Sequence, residues 1–273
     1  MPKPPSRLYA KGNIKILNEC GIAVIGSRTN TQYGEKMCNV FVKGLTQYNV
    51  NIISGLAIGI DGIAHKTCLE NCGKTIAVLP SGLENIYPAQ HIRLAEMIIN
   101  NGGIIISEYD NNVKADSGKF LERNRIVAAL GIGTLVVESG IRSGTSVTAK
   151  YTKECGNPVF CIPSSLENIK GKGTNELIKK GAILVSEVED ILNYYPNIKF
   201  KKRKFEKQKI TFDIPKDLQK IYKAINNIPQ GINEIAHKTG IPISEVNYKI
   251  MLLQLDDKIK ELSGQRFVRN DEE

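Results

Sequence analysis

Tryptophan is absent from this 273-residue chain, histidine occurs only three times, and aromatic residues make up 6% of it. Any ring a ligand stacks on must therefore be one of seven phenylalanines or ten tyrosines, and few imidazoles are available for acid–base or metal chemistry. No apolar run approaches the roughly 20 residues a membrane span needs. The N-terminal MPKPPSRLYAKGN has prolines where a secretory signal would carry its apolar core, which points to an intracellular, cytoplasmic protein. The six cysteines, at 20, 38, 68, 72, 155 and 161, form no disulfide-like framework and read as reduced thiols. His65, Cys68 and Cys72 would share a helix face, but no fourth metal ligand is apparent, so no metal is expected.

Also missing is the G-x-G-x-x-G run of a dinucleotide site. The stretch Gly21–Gly34, GIAVIGSRTNTQYG, begins as a buried strand and enters a turn before a helical pattern. Ser27 and Arg28 stand where the second glycine would be. The next strand ends in Ser54 and Gly55 rather than in an acidic residue that would hold a ribose. A guanidinium at a strand end is a phosphate fork, so the ligand expected here is a polyphosphate anion and not NAD; no cofactor is expected.

Near-continuous apolar runs recur at Ile22–Gly26, Asn51–Ile53, Thr75–Leu79, Gly103–Ile106, Thr134–Glu138, Val159–Ile162 and Ala182–Val185. Amphipathic stretches separate them: Tyr33–Gln47, Ile60–Asn71, Ala89–Asn100, Phe120–Leu130, Ser146–Cys155 and Thr174–Lys180. This alternation predicts an α/β fold, an extended Rossmann-like, doubly wound and mostly parallel sheet with all strand ends pointing one way. Leu8–Glu19 reads as a leader and short helix at the sheet edge. Small-residue turns follow the second, third and fifth strands (SGLAIGID, PSG and ESGIRSGTS); each either makes a tight turn or offers free N–H groups to phosphates.

The segment GKFLERNR, residues 118–125, follows the fourth strand. Lys119, Arg123 and Arg125 surround Phe120, and cations beside an aromatic face are what a single-stranded nucleic acid uses. A helix beginning here turns Phe120, Arg123 and Asn124 to one side; the alternative is a solvated helix start with Phe120 in the core.

Taken together, GSRTNTQYG (26–34), SGLAIGIDGIAH (54–65), Tyr87-Pro88, ISEY (106–109), FLERNRIVAAL (120–130), VVES with SGTSVTA (136–149) and GTNELIKKGA (173–182) resemble the DNA-processing protein A family, also called Smf. The resemblance implies a bacterial protein that binds single-stranded DNA, forms a homodimer and loads the RecA recombinase in natural transformation, without enzymatic activity. It also implies DNA contacts at Arg28, Lys119, Phe120, Arg123, Asn124 and Arg125, with Ser54 and Gly55 supplying hydroxyl or backbone contacts. The chain departs from the family pattern at Leu121, where a proline is usual, and at Ile162-Pro163-Ser164. The competing reading is a nucleotide-processing enzyme of the phosphoribohydrolase type, with Glu138 in a catalytic role; the P-G-G-x-G-T block of those enzymes is absent.

The net charge of +9 is unevenly placed, since seven basic residues and one acidic residue lie between Lys199 and Lys209. The expected organisation is a Rossmann-like domain over 1–196, a basic linker over 197–212, and a winged helix over 213–273. The last would comprise helices Leu218–Asn227, Ile232–Thr239 and Ser244–Asp256, then a wing Lys260–Val268. The third helix has too few cations to read a groove, with Glu245, Asp256 and Asp257 against Lys249, which favours a protein contact over sequence-specific DNA binding.

Overall fold

The computed structural model describes residues 1, 3–141, 143–203, 216–255, 258–262 and 264–270. It separates into two compact units, residues 1–210 and 211–273. The first holds β1 (Tyr9–Gly12), β2 (Gly21–Ile25), α1 (Gln32–Gln47), β3 (Asn51–Ser54), α2 (Ile60–Glu70), β4 (Thr75–Val78), α3 (Ile92–Asn100) and β5 (Ile104–Ser107). It continues through α4 (Ser117–Leu130), β6 (Thr134–Val136), α5 (Gly144–Glu154), β7 (Val159–Cys161), α6 (Lys172–Lys179), β8 (Ile183–Leu184) and α7 (Val188–Asn193).

The eight strands lie in the order β1-β5-β4-β3-β2-β6-β7-β8 and every neighbouring pair is parallel except β1 with β5. The doubly wound sheet implied by the strand rhythm is therefore present. β2 explains how both faces come to be covered. Ile22 and Val24 pack with Phe41, Leu45 and Ala64 from α1 and α2, whereas Ala23 and Ile25 pack with Ile126, Val127 and Ala149 from α4 and α5. Alternate residues of a strand face opposite sides, so a strand covered on both must be apolar throughout.

One expectation is corrected. Within Leu8–Glu19 the expected short helix is present as the 3-10 helix Ile14–Asn18, but the stretch before it, Tyr9–Gly12, is an edge strand, with Tyr9 opposite Ser107 and Gly12 opposite Ile104. β1 is mostly exposed, so no alternation marks it in sequence; the open edge of β5 recruits it. The basic stretch is also tied to the first unit at its start. Arg203 donates from its backbone to Gln47 O at 2.6 Å and from its guanidinium to Cys72 O at 2.5 Å. Its later cations Lys204, Lys207 and Lys209 lie outside the described residues.

The second unit contains α8 (Lys216–Ala224), β9 (Gln230–Gly231), α9 (Ile232–Thr239), α10 (Ile243–Leu255), β10 (Ile259–Leu262) and β11 (Arg266–Arg269), with the three strands antiparallel in the order β10-β11-β9. Leu218, Ile221, Ile235, Val246, Ile250, Leu253 and Phe267 form its own core.

Candidate nucleic-acid interface

All the loops of interest leave the carboxyl ends of parallel strands. The chain winds outward from β2 through β3 and β4 to β5, then returns to the other side of β2 as β6. Between β2 and β6, therefore, lies the switch point at which open α/β sheets usually bind ligands. Here that crevice is filled. Glu138 is 1% exposed; it accepts hydrogen bonds from Thr31 N at 2.8 Å, Thr31 Oγ1 at 2.7 Å and Asn168 Nδ2 at 2.9 Å. Its carboxylate is committed to holding the start of α1, where Thr31 is the N-cap.

The exposed lip lies further along, over β3 and β4. The turn after β2 carries Arg28 outward and packs tightly on the turn after β3. Ile60 N donates to Ser27 O at 3.1 Å, and Gly59 has φ +82° with no room for a side chain, since a Cβ would sit 2.3 Å from Ser27 O. Arg28 then lies over the ring of Phe120, its guanidinium carbon 4.7 Å from the centroid. Phe120 belongs to the first turn of α4, whose start is fixed by the Asp116 cap accepting from Lys119 N at 3.0 Å. Tyr87, from the loop after β4, meets Phe120 edge to face with ring centroids 5.4 Å apart.

Beneath this stack sits Arg123, 3% exposed. Its Nη1 donates to Gly55 O at 2.5 Å and to Val78 O, its Nε donates to Asn124 Oδ1 at 3.2 Å, and its guanidinium carbon lies 5.9 Å from the Phe120 centroid. Burial lowers its pKa to about 10, and the nearby Asp61 carboxylate opposes that shift. Asp61 accepts from Gly55 N at 3.1 Å, and its own pKa is raised by burial, with Arg123 acting in the other direction. Gly55 leaves space for the guanidinium, because a Cβ there would lie 2.5 Å from Arg123 Nη2.

The sequence-derived residues thus divide. Arg28, Lys119 and Phe120 come together on the lip, with Asn124 half-buried behind them, its Nδ2 donating to Gly144 O at 3.4 Å. Ser54 does not offer a contact: it is fully buried and its Oγ donates to Val24 O at 2.6 Å. Gly55 has its N–H and carbonyl engaged by Asp61 and Arg123. Arg123 spends its donors on carbonyls, and Arg125 is paired with Glu108 at 2.5 Å. Of these, Arg123 and Gly55 underlie the lip, while Ser54 and Arg125 are engaged by Val24 O and Glu108. What sequence reasoning missed is burial, which a cation-rich helix start does not reveal, and Tyr87, visible only as half of a Tyr-Pro pair. Lys119 is also not free: its ammonium pairs with Asp116 and lies 5.8 Å from the Tyr109 ring centroid.

His65 and Cys68 are fully buried. His65 Nδ1 lies 2.7 Å from Thr75 Oγ1 and Cys68 Sγ 3.3 Å from Lys74 O. No group of three His, Cys, Asp or Glu among the described residues is placed to hold a metal, and no helix among them is long and apolar enough to cross a membrane.

A mostly parallel, doubly wound sheet with Glu138 buried at its switch point and a cation–aromatic lip beside it defines a Rossmann-like α/β protein. The chain belongs to the DNA recombination-mediator protein A family, whose model matches residues 1–196. It is 36% identical to Protein Smf of Escherichia coli over 95% of this chain and 71% of that protein. It is 40% identical to the DNA processing protein DprA of Streptococcus pneumoniae over 69% of this chain and 66% of that one. The solved S. pneumoniae protein superposes with a TM-score of 0.65 at 38% identity, covering 71% of this chain and 67% of that one. DNA processing protein A of Helicobacter pylori, whose structure was described for its single-stranded DNA binding mode, gives 0.66 at 31% identity, covering 72% and 89%.

Proposed function

We propose that this chain is a non-enzymatic single-stranded DNA-binding protein of DNA processing in transformation and recombination, and that the strand lies along the lip formed by Arg28, Phe120 and Lys119. The observation that carries the reading is the Arg28 guanidinium 4.7 Å over Phe120 on an exposed strand-end loop. A planar cation on a ring offers both a phosphate contact and a flat surface for an unpaired base. Arg123, Asp61 and Gly55 position that stack. The single-stranded DNA binding mode described for the H. pylori relative supports the single-strand reading. Homodimer formation and delivery of the strand to RecA follow from the family resemblance and belong to this proposal, as does a cytoplasmic location.

The nucleotide-processing alternative is not favoured. It needs a carboxylate open to substrate, whereas Glu138 is buried and its oxygens are engaged by Thr31 and Asn168.

For the second unit we propose a winged helix that makes protein contacts. The outer side of α10 exposes Tyr248 (59%) and Met251 (50%), and its Lys249 is paired with Glu245 at 2.7 Å; a helix that reads DNA would keep its cations free.

Fluorescence anisotropy of labelled oligo-dT against a duplex of equal length tests the main reading. Arg28→Ala with Lys119→Ala is expected to weaken oligo-dT binding at least about 10-fold. Unchanged affinity of this double variant would remove the lip from the account.

A further inference from the structure

The ring of Tyr87 is not used by anything described above, although it is 49% exposed and touches the centre of the lip. Its backbone is held from both sides. In the loop after β4, Ser81 Oγ donates to Asn85 O at 2.5 Å, Gly82 N donates to Val113 O at 2.9 Å, and Asn85 Nδ2 donates to Asn111 O at 2.9 Å. Just beyond the tyrosine, His91 Nδ1 lies 2.8 Å from Leu56 O, so the same loop is fastened to the turn after β3. An exposed aromatic side chain on an anchored backbone is preorganised for binding: little loop ordering remains to be done when a ligand arrives.

The geometry of the pair carries the argument further. The planes of Tyr87 and Phe120 make an angle of 74°. Arg28 already covers Phe120, with the Arg123 guanidinium carbon also 5.9 Å from its centroid. One flat nucleobase cannot lie on two rings so inclined. Bases adjacent in a duplex are parallel, at about 3.4 Å rise, whereas the two rings inclined at 74° give a base over Phe120 and Arg28 and a base on Tyr87 separate supports rather than one continuous stack.

We propose that Tyr87 is a second stacking ring that takes the nucleotide next to the one held by Arg28 and Phe120, so that the bound strand bends sharply between them. The inference rests on the single-strand reading of the same lip and names a residue and a strand shape that reading does not contain. It gives a physical ground for preferring an unpaired strand: a flexible single strand makes the turn at low cost, and a duplex must first lose a stacked step.

The test compares the unaltered protein with Tyr87→Phe, Tyr87→Leu and Tyr87→Ala, titrated against a short oligo-dT and a set of the same oligo with a single abasic nucleotide moved along it. Thermal unfolding checks that each variant folds. Tyr87→Phe is expected to bind within about twofold of the unaltered protein. Tyr87→Leu and Tyr87→Ala are expected to bind about 5- to 150-fold more weakly, the range for losing one stacked base. At one abasic position the unaltered protein is expected to fall to the level of Tyr87→Ala, and the difference between the two to vanish. Equal binding by Tyr87→Ala and the unaltered protein would overturn the inference. So would a Tyr87→Ala deficit that persists at every abasic position, or its rescue by leucine, because either makes the tyrosine a prop for Phe120. If the unaltered protein itself fails to bind oligo-dT, the single-strand reading falls and this inference with it; if it binds and only the Tyr87 results fail, that reading stands.

Discussion

Lys119 gives the most discriminating prediction about how this lip binds a polyanion. Its ammonium is paired with Asp116 three residues earlier, and the hydrogen bonds from Lys119 hold the Asp116 carboxyl below its usual pKa. In that state the pair is neutral, and Lys119 contributes little to the release of counterions from DNA until the carboxylate lets go. Asp116→Asn removes the competing charge and keeps the helix cap, because asparagine accepts from Lys119 N about as well as aspartate does. One freed cation on a single strand should steepen the dependence of log affinity on log salt by about 0.7. Across a fourfold change in salt this is an extra factor of about 2.6. Asp116→Asn is therefore expected to bind oligo-dT more tightly than the unaltered protein at low salt and to converge with it as salt rises. In the double variant Asp116→Asn with Lys119→Met the slope should return to that of the unaltered protein. Anisotropy titrations from 50 to 200 mM salt, with equal melting temperatures as the control, read this directly. Identical slopes for Asp116→Asn and the unaltered protein would refute the reasoning and place Lys119 outside the strand's path.

Arg28→Lys keeps the charge and loses the planar stack over Phe120; it is expected to retain the salt slope in the same titration and to bind several-fold more weakly, whereas Arg28→Ala loses both. Gly55→Ala would set a methyl group 2.5 Å from Arg123 Nη2. Because that guanidinium is tied to Gly55 O and Val78 O, urea unfolding is expected to report a loss of about 1–3 kcal/mol, accompanied by weaker oligo-dT binding. A third prediction concerns pH. Thr75 Oγ1 donates to Ile52 O at 2.7 Å, so the hydroxyl's one proton is used and His65 Nδ1–H must be the donor to it. Nε2 is buried without a partner, and an imidazolium would place an unmatched proton there. Burial accordingly lowers the His65 pKa to about 3. The unfolded chain takes up this proton near pH 6.5 and the folded one does not, so stability is full above that pH. It should fall by about 1.4 kcal/mol per pH unit below it, until the pH approaches 3. Chemical unfolding between pH 5 and 7 should show this slope and His65→Leu should lack it; equal slopes would remove His65 as the cause.

The sequence alone determined the parallel strands of the sheet and the edge at which their polar, small-residue turns gather. Runs such as residues 22–25 and 104–106 are apolar at every position, and only strands covered on both faces need that. Small residues and one arginine at the strand ends marked the turns. Tertiary structure decided what each polar residue does there, because charge is legible in a sequence and burial is not. Arg123 and Arg28 are both cations near Phe120, yet one is shut beneath the lip on backbone carbonyls and the other stands outside it. Ser54 reads as a hydroxyl offered at a turn and is turned inward to Val24 O. β1 forms only because β5 has an open edge, and Tyr87 reaches Phe120 from 33 positions away in the chain. Such placements depend on long-range packing, which no local pattern of residues encodes.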